Sequence, residues 1–357
     1  MTPDSEPIVT YDINIPYQDN NVDATSKMKY PQYKPTWDPV WFEPLPEFVF
    51  VDPATRAASH KPHLLSSLGV VSENLTPKMG TVLRGVDLTE LTTNAMAKDE
   101  LALLIAERKI VVFPDQEAFI NAGPDVQQGF MDYFGKRNYQ PVSGSIPGHP
   151  GFHIIHRDGN RPELEAFFAR KTTSCLWHQD VSYERQPPGY VMLALLDGPK
   201  CGGDTVFAAT DDAFSRLSPT LQNFLSTLRV THSSANMLNH TKLAGGIVRK
   251  DPVTSIHPLV RVHPITGARC LFINGEFITG AVGLKDVEWA ALSDFLLKHI
   301  IESHDVQVRV HWQPKTVVMF DNRSTLHTAV VDYVDDDGAQ PRHIFRLAAM
   351  AEIPMAV

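Results

Sequence analysis

Cysteine is scarce in this chain: 357 residues carry only Cys175, Cys201 and Cys270, widely spaced and odd in number. That excludes a disulfide framework or a cysteine zinc site as the organising feature, and it points to a reducing, cytoplasmic compartment. Blocks of Lys and Arg are also missing. With 41 acidic against 32 basic residues the formal charge is −9, so a basic face for nucleic acid is not expected. Apolar runs such as residues 191–196 fall far short of the roughly 18 residues that a membrane span needs. The opening MTPDSEPIVTYD has neither the basic nor the apolar region of a secretory signal. No Rossmann glycine fingerprint, Walker loop or long-period repeat occurs. What is present, 43% apolar, 20% charged and 9% aromatic residues, fits a globular protein with a sizeable core. The length exceeds twice the ~150 residues of a typical domain yet stays within reach of one large domain.

Proline is concentrated at the front, where ten of the 27 fall within the first 62 residues. Proline fixes φ and removes a donor, so a stretch such as KYPQYKPTWDPVWFEPLPEF is neither regular helix nor central strand. The same stretch holds Tyr30, Tyr33, Trp37, Trp41, Phe42, Phe48 and Phe50, a large apolar load for a free tail. Residues 1–75 are therefore expected to form an extended arm laid over a body of residues 76–357. The arm could cover its own subunit or a neighbour in a homo-oligomer.

Beyond residue 80 the pattern turns regular. Residues 98–109 place Leu101, Leu104 and Ile105 on one face among helix-forming charges, which predicts an amphipathic helix. The β-branched run 110–113 follows as a buried strand. Helical spacing returns over 219–228 and over 284–300, the latter with Leu284, Val287, Ala291, Phe295 and His299 on one side. The second half reads as short strands, over 257–262, 269–273, 306–312, 316–320 and 343–350. Val306, Val308 and Val310 alternate with Gln307, Arg309 and His311, the period of a half-buried strand. The fold class expected is mainly β, a sandwich or jelly roll with flanking helices.

Among 15 histidines, two stand in His-x-Asp pairs: His156 with Asp158 and His178 with Asp180. On a strand, residues i and i+2 share a face, so an imidazole and a carboxylate can reach one ion. The first pair runs into the turn sequence GNRP, which fixes geometry poorly. The second lies in CLWHQDVSYERQPPGY, and a further imidazole, His327, closes FDNRSTLH much later. Two histidines and one carboxylate leave three positions free on an octahedral ion, which suits Fe(II). Zinc with one bound water is the competing chemistry.

The segments WHQDVSYE, GGDTVFAAT, HPLVRVHPITGARCLFING and FDNRSTLH, with the closing pair Arg342 and Arg346, together resemble the taurine dioxygenase (TauD/TfdA) family of Fe(II)- and 2-oxoglutarate-dependent oxygenases, fungal sulfonate dioxygenase-like members in particular. The resemblance runs in consistent order over roughly residues 75–350. It implies a double-stranded β-helix (jelly roll, cupin-like) and assigns His178, Asp180 and His327 as iron ligands. Thr205 and Arg342 would hold the distal carboxylate of 2-oxoglutarate; arginine offers a planar fork to a carboxylate and a hydroxyl adds a donor. Arg346, four residues further along a strand and so ~13 Å away on the same face, would take the acidic group of a small anionic or zwitterionic substrate. Trp177, Asn322 and Arg323 belong to the motifs as supporting residues.

The substrate side departs from the taurine enzyme. Gln140 and Ser143 stand where its taurine-binding His and Tyr would fall, and Ile344 and Phe345 lie between the two arginines. Phe277, with Met237 and Leu238, matches positions lining the cavity. The expectation is an oxygenase that oxidises an aliphatic C–H with O2 and releases succinate and CO2. A sulfonate or an amino-acid-like substrate fits. A branched amino acid undergoing hydroxylation, desaturation or ring closure such as aziridine formation is the alternative to an alkyl sulfonate. A zinc hydrolase and a non-catalytic jelly-roll binding protein are more distant alternatives.

Overall fold

The computed structural model describes residues 28–38, 40–66, 69–157, 176–333 and 341–357. The first 27 residues of the arm, Asp158 and Cys175 lie outside the described residues. The strands, in chain order, are β1 Val71–Asn74, β2 Thr81–Arg84, β3 Ile110–Phe113, β4 Lys136–Arg137, β5 His153–Arg157, β6 Pro188–Asp197, β7 Thr205–Ala209, β8 Arg229–Ser233 and β9 Thr254–Pro258. They continue as β10 Val260–Val262, β11 Arg269–Leu271, β12 Ile278–Ala281, β13 Gln307–Val310, β14 Val317–Asp321, β15 Thr325–Ala329, β16 Arg342–Met350 and β17 Met355–Ala356. The helices are α1 Pro62–Leu65, α2 Leu88–Leu91, α3 Ala95–Arg108, α4 Glu117–Asn121, α5 Pro124–Asp132, α6 Thr210–Ser215, α7 Pro219–Ser226, α8 Ala235–Leu243 and α9 Asp286–Glu302.

An eight-stranded sheet runs β1-β2-β3-β14-β6-β16-β4, with β5 also on β16, and a three-stranded sheet runs β13-β7-β15. The short sheet covers one face of the large one. Phe207 and Ala209 of β7 and Val308 and Val310 of β13 share a core with Val191, Leu193 and Leu195 of β6, Phe320 of β14 and Ile344 of β16. The Phe207 and Phe320 rings meet at 5.1 Å across that interface. On the opposite face, Leu101, Leu104 and Ile105 of α3 pack with Met192, Met319, Phe345 and Leu347. Two packed sheets with helices outside are the jelly roll expected. Because both faces of the large sheet are covered, β6, β14 and β16 are buried almost along their length; β6 and β14 read as nearly continuous apolar runs rather than alternating ones, while β16 also carries the buried polar residues Arg342, His343 and Arg346.

Residues 28–66 run over the body of their own chain. Tyr33 is fully buried, stacks on Phe345 at 5.5 Å and donates from its hydroxyl to the Ile120 carbonyl. Thr36 bridges to Ser145, and the Trp37 Nε1–H donates to the Val142 carbonyl at 3.2 Å. Gly144 is required there, since a Cβ would stand 2.8 Å from Pro35 Cβ and 3.0 Å from the Trp37 ring. Further along, Asp52 pairs with Arg323 at 2.6 Å in the interior.

Helix α9 corrects an expectation. Its buried stripe is Trp289, Leu292, Leu296 and Ile300, whereas Val287 is 76% and Phe295 46% exposed. Spacing near 3.6 residues supports either stripe in this sequence, and the one carrying the Trp has the more apolar surface to bury.

Candidate active site

His178 does not sit in a strand, as its pairing with Asp180 suggested. It forms an isolated antiparallel bridge with His327, exchanging both backbone hydrogen bonds at 3.0 Å, and the chain then turns at Asp180. The ligand pair is therefore set by a bridge to β15 and a turn. Val181, a β-branched residue, has φ +40° immediately after the carboxylate, a conformation that costs on the order of 1–3 kcal/mol and is typical of functional turns.

This turn is locked from the other side by the FDNRSTLH segment. The Asn322 side chain accepts from the Asp180 N–H at 2.8 Å and donates to the Asp180 carbonyl at 3.1 Å. Its neighbour Arg323 is wholly buried and pairs with Asp321 and Asp52 at 2.6 Å each. His263 closes the network on Asp321 at 2.9 Å. These contacts fix the approach to His327, whose ring lies against Phe207 and Phe320 at 5.6 and 5.1 Å.

The result is one cluster: a ligand atom from each of His178, Asp180 and His327, all within 4.8 Å of one another. Asp180 Oδ1 lies 3.7 Å from His178 Nε2 and 3.9 Å from His327 Nε2. His178 Nδ1 meets the Leu176 carbonyl at 2.8 Å, which fixes it as the N–H and leaves Nε2 with its lone pair for a metal. Burial, reinforced by the nearby His178, pushes His327 down to about 3, so its imidazole is neutral. Burial alone would raise Asp180, but the guanidinium of Arg346 holds it below the ordinary carboxylate value. A neutral imidazole at His327 and an ionised carboxylate at Asp180 are the protonation states a metal requires of them. Asp180 Oδ2 is buried with no hydrogen-bond partner. The donor set fits Fe(II).

The cluster opens into a small cavity lined by Gln140, Ser143, Tyr183, Met237, Phe277 and Arg346, among others. Arg346 donates from Nη1 to Asp180 Oδ1. The loop bearing Gln140 and Ser143 is held from behind by buried Arg249, whose guanidinium donates to both of their carbonyls. Arg342 is buried and donates from Nε to the Gly203 carbonyl at 3.1 Å. A Cβ at Gly203, where φ is +69°, would press on the Arg342 side chain and Tyr333. Thr205, two residues on, is buried and accepts from Trp312 Nε1 at 3.0 Å.

Three residues expected on the substrate side are not in this wall. Strand alternation puts Phe345 on the opposite face of β16 from Arg342 and Arg346, stacked on Tyr33 in the helix-side core. Ile344 shares the arginines' face but packs in the core between the sheets, away from the cavity lining. Leu238 is buried in α8 and is likewise outside the lining. Sequence reasoning missed His153, Val181, Tyr183 and Glu276, which do line it. Val181 and Tyr183 carried a signal, since they directly follow the ligand pair; His153 and Glu276 belong to no motif.

A family model described as Taurine catabolism dioxygenase TauD, TfdA family matches residues 72–348. Over 333 residues, covering 92% of this chain and 79% of the relative, the sequence is 43% identical to the alpha-ketoglutarate-dependent sulfonate dioxygenase of Saccharomyces cerevisiae. It is 36% identical to the alpha-ketoglutarate-dependent dioxygenase cnsM of Penicillium expansum, covering 91% of this chain and 90% of that protein. Among solved structures, a taurine dioxygenase from Burkholderia xenovorans superposes with a TM-score of 0.61 at 27% identity, covering 81% of this chain and 91% of that one.

Proposed function

The chain belongs to the Taurine catabolism dioxygenase TauD, TfdA family, and from that premise we propose how its side chains divide the work. It is an enzyme that uses Fe(II), 2-oxoglutarate and dioxygen on a small-molecule substrate. When bound, iron and 2-oxoglutarate supply the hard chemistry, oxidative decarboxylation of the keto acid to succinate and CO2 coupled to oxidation of an aliphatic C–H. Family membership sets aside the zinc hydrolase and the non-catalytic binding protein.

His178, Asp180 and His327 hold the iron; the observation that carries this is their convergence within 4.8 Å from two remote segments. Arg342 and Thr205 hold the distal carboxylate of 2-oxoglutarate. Both are buried, and Arg342 donates from Nε to the Gly203 carbonyl; a charge-assisted bond from a guanidinium to a carboxylate in so dry a setting contributes on the order of 1.5–3 kcal/mol. Arg346 takes the substrate's acidic group, with Gln140 and Ser143 beside it and Met237 and Phe277 packing an aliphatic body. This combination favours a small anion or zwitterion with an apolar part, a sulfonate or an amino acid. The net charge of −9 and the three cysteines support a cytoplasmic enzyme without nucleic-acid partners. Among the described residues no helix is long and apolar enough to cross a membrane.

The test is a coupled succinate assay over taurine, other alkyl sulfonates and branched amino acids, with and without oxygen. Succinate release that needs iron, 2-oxoglutarate and O2, and that disappears in His178→Ala, is expected. Release unchanged in that variant would refute the ligand assignment.

A further inference from the structure

Three residues lining the cavity carry a buried polar atom with no hydrogen-bond partner: Asp180 at Oδ2, in the ligand cluster, and apart from that cluster His153 at Nδ1 and Tyr183 at its hydroxyl. His153 is 3% and Tyr183 1% exposed, and both line the same cavity as Arg346 and the ligand cluster. Buried polar groups are nearly always paired, because leaving one unpaired costs stability with no return inside the fold. Two such atoms apart from the ligand cluster, in one small cavity, mark groups whose bonds are completed by the molecule the cavity takes.

We infer that His153 and Tyr183 contact the substrate and, with Arg346, hold the oxygens of its acidic group; this rests on the reading of Arg346 as the anion-binding residue. The three side chains come from separate elements that meet here. His153 on β5 is the direct register partner of Arg346 on β16, so an imidazole and a guanidinium share one end of the cavity. Tyr183 comes from the turn that follows Asp180, with its ring edge-on to Phe277 at 5.0 Å. Protonation states agree with this role. Burial first, then the charges of Arg346 and Arg249, hold His153 well below its ordinary value, leaving a neutral ring with one N–H. Burial also pushes the Tyr183 phenol well up, so it keeps its proton to donate. The Arg346 guanidinium and the Tyr183 O–H are donors, the tautomer of His153 with its proton on Nδ1 adds a third, and a convergent donor set recognises an oxyanion. The acid is a sulfonate or a carboxylate, and the probes below separate them.

The experiment is a thermal-shift titration of the full chain loaded with Mn(II) and 2-oxoglutarate under argon, using ethanesulfonate, taurine and L-valine as probes. Wild-type protein should be stabilised by at least one probe. Tyr183→Phe and His153→Leu should each weaken that probe's apparent affinity at least fivefold, while their midpoints without probe stay level or rise because an unpaired group is gone. His153→Gln, which retains an N–H, should recover part of the affinity. Wild-type probe affinity in both variants would overturn the inference. So would a probe-free midpoint lowered by several degrees in Tyr183→Phe, which would make the hydroxyl structural, or wild-type protein indifferent to all three probes. Failure of the oxygenase reading shows separately, as wild-type protein that Mn(II) and 2-oxoglutarate together do not stabilise.

Discussion

On the metal side of the cavity, the backbone of His178 is bridged to His327, Asp180 is bracketed by Asn322, and Arg323 anchors the whole segment to Asp321 and Asp52. On the substrate side of the same cavity, His153 and Tyr183 have buried polar atoms that no protein group satisfies. One wall is held by a closed network and positions three ligand atoms before anything binds; the other leaves its hydrogen bonds to the incoming molecule. Positioning has to be rigid for a metal to be chelated in one geometry, whereas recognition in the adjoining wall can change residue by residue without disturbing it. The metal-ligating parts of the motifs that match the family lie on the first wall, whereas the second mixes motif residues such as Tyr183 and Arg346 with the departures at Gln140 and Ser143.

The strongest way to break this contrast is at the ligands. His327→Ala should abolish iron-dependent succinate formation, a loss of at least ~10³-fold, and should weaken Mn(II) binding by titration calorimetry; retained binding would remove His327 from the metal side. Next is the network behind it. Arg323→Met leaves Asp321 and Asp52 buried without their cation, which should cost about 3–5 kcal/mol and drop the thermal midpoint by many degrees; a level midpoint would show that the segment is held otherwise. Arg342→Met removes the charge-assisted bonds expected at the 2-oxoglutarate carboxylate. KM for 2-oxoglutarate should rise roughly 10- to 100-fold, as the 1.5–3 kcal/mol of such bonds implies, and an unchanged KM would move that carboxylate elsewhere.

A smaller effect concerns pH. Burial pushes both His257, which contacts the Glu184 carbonyl behind the substrate wall, and His343, which contacts the Tyr33 carbonyl, down to about 4. An unfolded histidine titrates near 6.5, so between ~6.5 and 4 the unfolded chain binds more protons and stability rises with pH. Stability should be complete above about pH 6.5 and fall as pH drops through 6.5 towards 4. Calorimetric midpoints at pH 7.5 and 5 should differ by several degrees, and His343→Gln should narrow the gap. A pH-independent midpoint would mean that these rings take up protons in the folded state.

How much could be read in advance follows the same division. The clustering of His178, Asp180 and His327 was expected less from the His-x-Asp spacing than from motifs that resemble one family in consistent order, and the arginine pair was singled out by the same resemblance. The half-buried β13 was legible from its alternation, whereas β6 and β14, covered on both faces, offer no alternation to read. Phe345 shows the cost of ignoring period 2: the spacing that puts Arg342 and Arg346 on one face sends residue 345 to the other. The stripe of α9 was misjudged because two apolar stripes share the helix and only packing chooses between them. His153 was invisible for a deeper reason: its role arises from register pairing with a strand almost 200 residues away, which no local pattern records.

The most direct test is a crystal structure of the protein with Mn(II) and 2-oxoglutarate, grown without oxygen. The account predicts one ion about 2.0–2.3 Å from His178, Asp180 and His327, with the keto acid's far carboxylate on Arg342 and Arg346 facing the open cavity. An ion bound by other side chains, or a 2-oxoglutarate carboxylate seated on Arg346 instead of Arg342, would contradict it.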